Sequence, residues 1–143
     1  MELSSPAFDN NTLIPKKFSC QGEGVNPELV IRNIPKETKS LALIVDDPDA
    51  PVKTYVHWVV YDIPIVAYIE ENSIPGTQGV NSSSDTNYVS PCPPTGAHRY
   101  FFKVYALDKM FGLTEGLKKE DLEKQMQGHI LDKSELVGLY KKR

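Results

Sequence analysis

Residues 41–63 read LALIVDDPDAPVKTYVHWVVYDI, and their reading decides the fold. The run 41–45 is aliphatic without alternation, which predicts a strand buried on both faces at the centre of a sheet. It ends abruptly in Asp46, Asp47 and Asp49, pinched between Pro48 and Pro51. Residues 56–63 (VHWVVYDI) predict a second strand that carries His57 near its start and is closed by Pro64. A core-forming strand thus delivers carboxylates to one spot, and the next brings an imidazole.

Working outward, residues 30–34 (VIRNI) and 99–107 (RYFFKVYAL) also predict strands, and residues 135–140 a last one. Helical spacing occurs once, in LKKEDLEKQMQGHI, where Leu117, Leu122 and Met126 recur between charges and Gly128 marks a stop. Residues 76–97 form a long loop rich in Gly, Ser, Asn and Pro, a length that within a compact domain points to function or mobility. Five or more strands with one late helix predict a single domain over residues 1–143, an antiparallel β-sandwich with Greek-key connections.

The 143 residues suit one domain with a substantial core. Eleven prolines and nine glycines spread along the chain favour a turn-rich β fold over a helix bundle. The net charge of −3, with basic clustering only in the tail 141–143, argues against nucleic acid as the main partner. There is no leader-like N-terminus and no apolar run near the roughly 20 residues of a membrane helix, so a soluble cytoplasmic protein is expected. Cys20 and Cys92 lack CxxC or zinc-like spacing, and in a reducing compartment they are expected to be two free thiols.

Strand parity suggests where polar groups converge. Asp47 and Asp49 stand two apart past one strand, His98 and Tyr100 two apart at the start of another, and His57 opens a third. If these ends meet, they form a pocket of two carboxylates, two imidazoles and a phenol, with prolines stiffening the backbone beside it. Singly, each signal also fits a structural role: an Asx turn for DPDAP, a satisfied rim histidine for His57, or a polar network that locks a sheet end. Two Asp and two His are also the ligand types of a divalent metal site, the basis for an alternative as a metal-dependent hydrolase. Neither H-E-x-x-H nor G-x-S-x-G occurs, which counts against an enzyme, and no catalytic residue, metal or cofactor is assigned.

The joint pattern DPDAP (47–51), HW (57–58), PCPPTGAHRYFF (91–102), GHIL (128–131) and GLYKKR (138–143), with CQGEGVNPEL (20–29), resembles the phosphatidylethanolamine-binding protein family, in particular its bacterial and archaeal Raf-kinase-inhibitor-like branch. The resemblance spans essentially the whole chain and implies the same β-sandwich, with an anion pocket at one end of the central sheet. Carried over, that pocket falls on Asp47, Asp49, His57, Pro94, His98 and Tyr100, with Arg99 pointing away and pairing with an acid. The implied ligand is phosphate or a phosphate monoester head group; a kinase or protease as protein partner, and a homodimer, follow by analogy. Ser90 stands where the family usually has glycine, and NSSSDTN (81–87) lacks its common glycines, departures that bear on pocket shape. In the tight turn beside this pocket, the Ala50–Pro51 bond is expected to be cis. Two aspartates suit an anion site only if they orient the imidazoles while imidazole and amide N–H groups face the ligand.

Overall fold

A computed structural model describes residues 1–143. Its strands are β1 (Glu2–Ser4), β2 (Thr12–Leu13), β3 (Leu29–Arg32), β4 (Ser40–Asp47), β5 (Tyr55–Ile63), β6 (Tyr68–Ile69), β7 (Thr77–Gln78), β8 (His98–Leu107) and β9 (Ile130–Tyr140). One helix, α1 (Lys119–Met126), precedes β9. The larger sheet has the order β2-β9-β8-β4-β5-β7, and β1-β3-β6 form a smaller one. β8 returns to lie beside β4, so the order β8-β4-β5-β7 is a Greek key. All pairings are antiparallel except the two-residue contact of β2 with β9, which is parallel.

The unbroken apolar run of β4 is buried at every position because the large sheet is covered on both faces. Leu41, Leu43 and Val45 join Trp58, Phe102 and Val104 in the core between the sheets. Ala42 and Ile44 join Val59, Tyr61 and Tyr105 on the opposite face, where Leu122 and Met126 of α1 close a second, smaller core. Gly138 sits where the N-terminal segment crosses β9: a Cβ there would meet Ile14 Cγ1 at 2.4 Å, so only glycine admits the contact.

Element limits follow local geometry. β3 stops at Arg32 because Asn33 takes a left-handed backbone, and α1 ends before Gly128, which has φ +82°. β9 starts five residues before the expected 135 because it pairs along the whole of β8. Between β4 and β5, Val45 faces Trp58 but Asp46 faces Val56, which leaves His57 as the extra residue of a β-bulge. Tyr55 then stands opposite Asp47. The bulge changes which side chains β5 offers at the sheet end, and this is where the site lies.

Candidate functional site

At the end of the large sheet, a cavity of about 260 Å³ opens among the start of β5, the start of β8 and the loops 48–54 and 88–97. Asp47, His57, Pro94, His98 and Tyr100 all line it, as do Tyr55 and Cys92. Asp47 ends the inward-facing row Leu41, Leu43, Val45 of β4, while His98 and Tyr100 begin the inward row of β8. No lysine or arginine is in its wall.

His98 Nδ1 is 2.6 Å from Asp47 Oδ2, with both side chains buried. The carboxylate oxygen accepts, so Nδ1 carries the proton and Nε2 is the ring's open nitrogen. Asp47 Oδ1 accepts the N–H of Asp49 at 2.8 Å, an Asx turn that closes the chain after β4. His57 is held differently. Its Nδ1 donates to the carbonyl of Val89 at 2.6 Å, and its own carbonyl accepts the Val89 N–H at 2.9 Å. A carbonyl only accepts, so Nδ1 of His57 also carries the proton. Burial pushes the His57 pKa below 6.5, with the Val89 carbonyl and the nearby Asp47 and Asp46 opposing that shift. At neutral pH its Nε2 is therefore a lone pair.

The rings are locked by packing. His57 meets Tyr100 edge-on at 5.2 Å between centroids, Tyr55 packs against His57 at 4.9 Å, and His98 stacks on Tyr100 at 6.5 Å. Burial, with Asp47 and Asp49 nearby, raises the Tyr100 pKa well above 10, so its hydroxyl stays protonated. The Nε2 atoms and the Tyr100 hydroxyl make no hydrogen bond within the protein, yet none is sealed off: Thr38 Oγ1 is the one fully buried side-chain polar atom without a partner. Three polar atoms of a cavity wall are open to an incoming group.

Asp49 is not part of that wall. Arg99 Nε and Nη2 each donate to it at 2.9 Å, and so does the Arg99 backbone N–H. The guanidinium holds its carboxyl down to about pKa 2. Pro48 ends the strand between the two aspartates, so the two-residue parity that places Asp47 in the cavity does not carry to Asp49. Asp49 instead clamps the turn after β4 to the start of β8, and it is the acid with which Arg99 pairs. The Ala50–Pro51 bond is trans, since the chain has no cis peptide. The Asx turn and the Arg99 clamp fix this loop without one, and trans is favoured by roughly 0.5–1 kcal/mol.

The cysteines are not free thiols. Cys20 and Cys92 form a disulfide, with Cα atoms 5.4 Å apart. The physical reason is the docking of loop 15–24 on loop 88–94. Cys20 N–H donates to Pro91 O at 3.0 Å, Tyr88 Oη donates to Phe18 O at 3.2 Å, and Ser90 packs on Gly24, leaving the cysteines within bridging range. Ser90 still lines the cavity, but its Oγ lies 3.3 Å from where a Gly24 Cβ would stand. Nothing in the cysteine spacing reveals this bridge, because it depends on two loops 72 residues apart meeting. The Val89 carbonyl has no side-chain signal either. Tyr55 could have been found by parity, two residues before His57.

Fold and site together define a β-sandwich with a histidine-lined cavity at one sheet end. The chain matches the family model for phosphatidylethanolamine-binding protein over residues 4–141 and belongs to that family. It is 43% identical to a UPF0098 protein of Methanothermobacter thermautotrophicus, with 99% of each chain aligned. Against a UPF0098 protein of Chlamydia muridarum it is 47% identical over 98% of each. The crystal structure of the putative phosphatidylethanolamine-binding protein homolog CT736 of Chlamydia trachomatis superposes with a TM-score of 0.97 at 43% identity, covering 99% of this chain and 97% of that one. E. coli YbcL shares the fold, with a TM-score of 0.91 at 24% identity over 99% of this chain and 98% of that one.

Proposed function

We propose that the cavity binds a small phosphate-type anion, such as a phosphomonoester head group, and that the protein acts by binding rather than by turnover. The observation that carries this reading is the set of open polar atoms in one preorganised wall: Nε2 of His57, Nε2 of His98 and the Tyr100 hydroxyl, each on a ring held by packing or by a hydrogen bond at its other nitrogen. A phosphomonoester can meet all three: its oxygens accept from the Tyr100 hydroxyl, and a proton shared between a phosphate oxygen and an imidazole joins the anion to Nε2. Pro51, Pro93 and Pro94 line the same cavity and stiffen its loops, so little order is lost on binding. The volume, about 260 Å³, is below the usual range for drug-sized ligands and fits a head group.

Hydrolysis through a metal has less support, because no three His, Cys, Asp or Glu side chains converge as a metal-ligand set. A phosphorylated side chain on a kinase or protease would present the same phosphomonoester group, and this is how a protein partner would engage the site. The test is calorimetric titration with inorganic phosphate and with methyl phosphate. Saturable binding that weakens at least about tenfold in His98→Ala is expected, since a charge-assisted hydrogen bond contributes about 1.5–3 kcal/mol. Equal binding to parent and variant overturns the assignment.

A further inference from the structure

The cavity proposed to receive an anion presents, as it stands, acceptors. Both imidazoles spend their Nδ1 proton on the protein, His57 on the Val89 carbonyl and His98 on Asp47. Each ring can then donate from Nε2 only if it carries a second proton. No Lys or Arg lines the wall to supply charge in their place, and Asp47 adds a negative one. The nearest guanidinium, on Arg99, is committed to Asp49 with two side-chain hydrogen bonds. The ammoniums of Lys103 and Lys119 are both committed to Asp46, whose side chain leaves β4 on the opposite face from Asp47.

We propose that binding of a phosphomonoester dianion to this cavity takes up one proton from solvent, held in the hydrogen bond between Nε2 of His57 and a phosphate oxygen. This rests on the anion-binding reading of the same site. The balance is simple: dianion, free protein and one solvent proton give the complex, and no bond to phosphorus changes. His57 is the ring chosen because its Nδ1 anchor is a neutral carbonyl, whose pull towards the imidazolium is outweighed by burial of the ring. The groups that face it are Tyr55 on its own strand, Tyr100 of β8, Val89 of the loop, Asp47 of β4 and His98 across the cavity, with the Asp46 carboxylate acting from the other face of β4. Burial disfavours its protonated form until an anion arrives to offset the charge. A phosphate oxygen, itself basic near neutral pH, is suited to share that proton, whereas an oxyanion that never protonates leaves the whole cost on the ring.

The consequence is an affinity that falls by about tenfold per pH unit above neutrality, the slope for one linked proton. Methyl phosphate is titrated into the protein by calorimetry at about pH 8, where an unperturbed or lowered imidazole is neutral, in two buffers of different ionisation enthalpy. The difference in heat counts protons. About one proton per ligand is expected for the parent, with weaker sulfate binding under the same conditions. His57→Gln keeps a donor amide at that place but cannot titrate, and its proton count should fall towards zero. Binding of methyl phosphate with no proton uptake in the parent overturns this inference and leaves the anion site standing. Undiminished uptake in His57→Gln overturns the choice of His57. Absence of phosphate or methyl phosphate binding at any pH overturns the underlying reading itself, so the two failures are distinct.

Discussion

Asp46 and Asp47 are neighbours at the end of β4, 2% and 3% exposed, yet they anchor two unlike regions. Asp46 lies on the outer face of the sheet, where Lys103 at 3.1 Å and Lys119 at 2.8 Å both pair with one of its oxygens. Through Lys119 it ties the start of α1 to the sheet. Asp47 lies on the inner side and meets one imidazole and one backbone N–H. The first cluster holds two fixed ammoniums and no imidazole; the second has no fixed cation but leaves Nε2 of His98 facing a cavity. Charge alone therefore does not identify the binding site. What separates the two regions is that one spends its polar groups on the fold and the other keeps some unspent.

The largest effect expected anywhere in the pocket region comes from its staple. The Cys20–Cys92 bridge closes a loop of 72 residues, and cross-links of that span contribute up to about 4 kcal/mol by constraining the unfolded chain. Reduction, or Cys20→Ser with Cys92→Ser, should lower the midpoint of urea unfolding and weaken methyl phosphate binding as well, since Cys92 is in the cavity wall. Unchanged affinity after reduction would mean that the wall holds its shape without the bridge.

Next in size is the outer cluster. Asp46→Ala leaves two ammoniums without their shared carboxylate and should cost about 3 kcal/mol of stability, read from chemical denaturation, with methyl phosphate affinity retained. Asp47→Asn should show the reverse pattern. Stability should fall by only about 1 kcal/mol, while affinity drops about tenfold because His98 loses the carboxylate that holds its Nδ1–H and aims Nε2 at the cavity. Coulomb repulsion alone predicts tighter binding for Asp47→Asn, so the sign of that change is informative. If the two variants behave alike, the contrast between the regions fails.

How much of this was legible from residues alone depended on periodicity. The long strands β4, β5, β8 and β9 and the helix carry patterns that a reading of spacing can find, and so does the sandwich they imply. The two-residue strands β2, β6 and β7 are too short to have a period, and β2 adds a parallel contact that no pattern announces. In the site, Asp47, His98 and Tyr100 were reachable because parity runs unbroken along β4 and β8. Asp49 lies outside the cavity wall because Pro48 interrupts that parity. His57 lines the cavity as its place in the sequence suggests, but the bulge that aims it, and the Val89 carbonyl that sets its tautomer, come from backbone geometry without a side-chain signature. The disulfide was missed for a related reason: it reports how loops dock, while the expectation of free thiols rested on an assumed compartment.

The smallest expected effect is a pH dependence of stability. His57 has a folded-state pKa below its unfolded value of 6.5. Below that value the unfolded chain binds more protons than the native one, so stability present above about pH 6.5 is lost as pH falls through the folded pKa. Denaturation midpoints of the ligand-free protein should decline across this window, and His57→Gln should flatten that part of the profile. A parent profile that rises on acidification would contradict the neutral, buried imidazole.

The most direct test is a crystal structure of the protein soaked with inorganic phosphate. Two places compete for the anion: the outer cluster with Lys103 and Lys119, favoured if fixed cations decide, and the cavity, favoured if open, oriented groups decide. Phosphate is expected in the cavity, with oxygens about 3 Å from Nε2 of both His57 and His98. Phosphate bound only beside Lys103 and Lys119, with the cavity holding none, would contradict it.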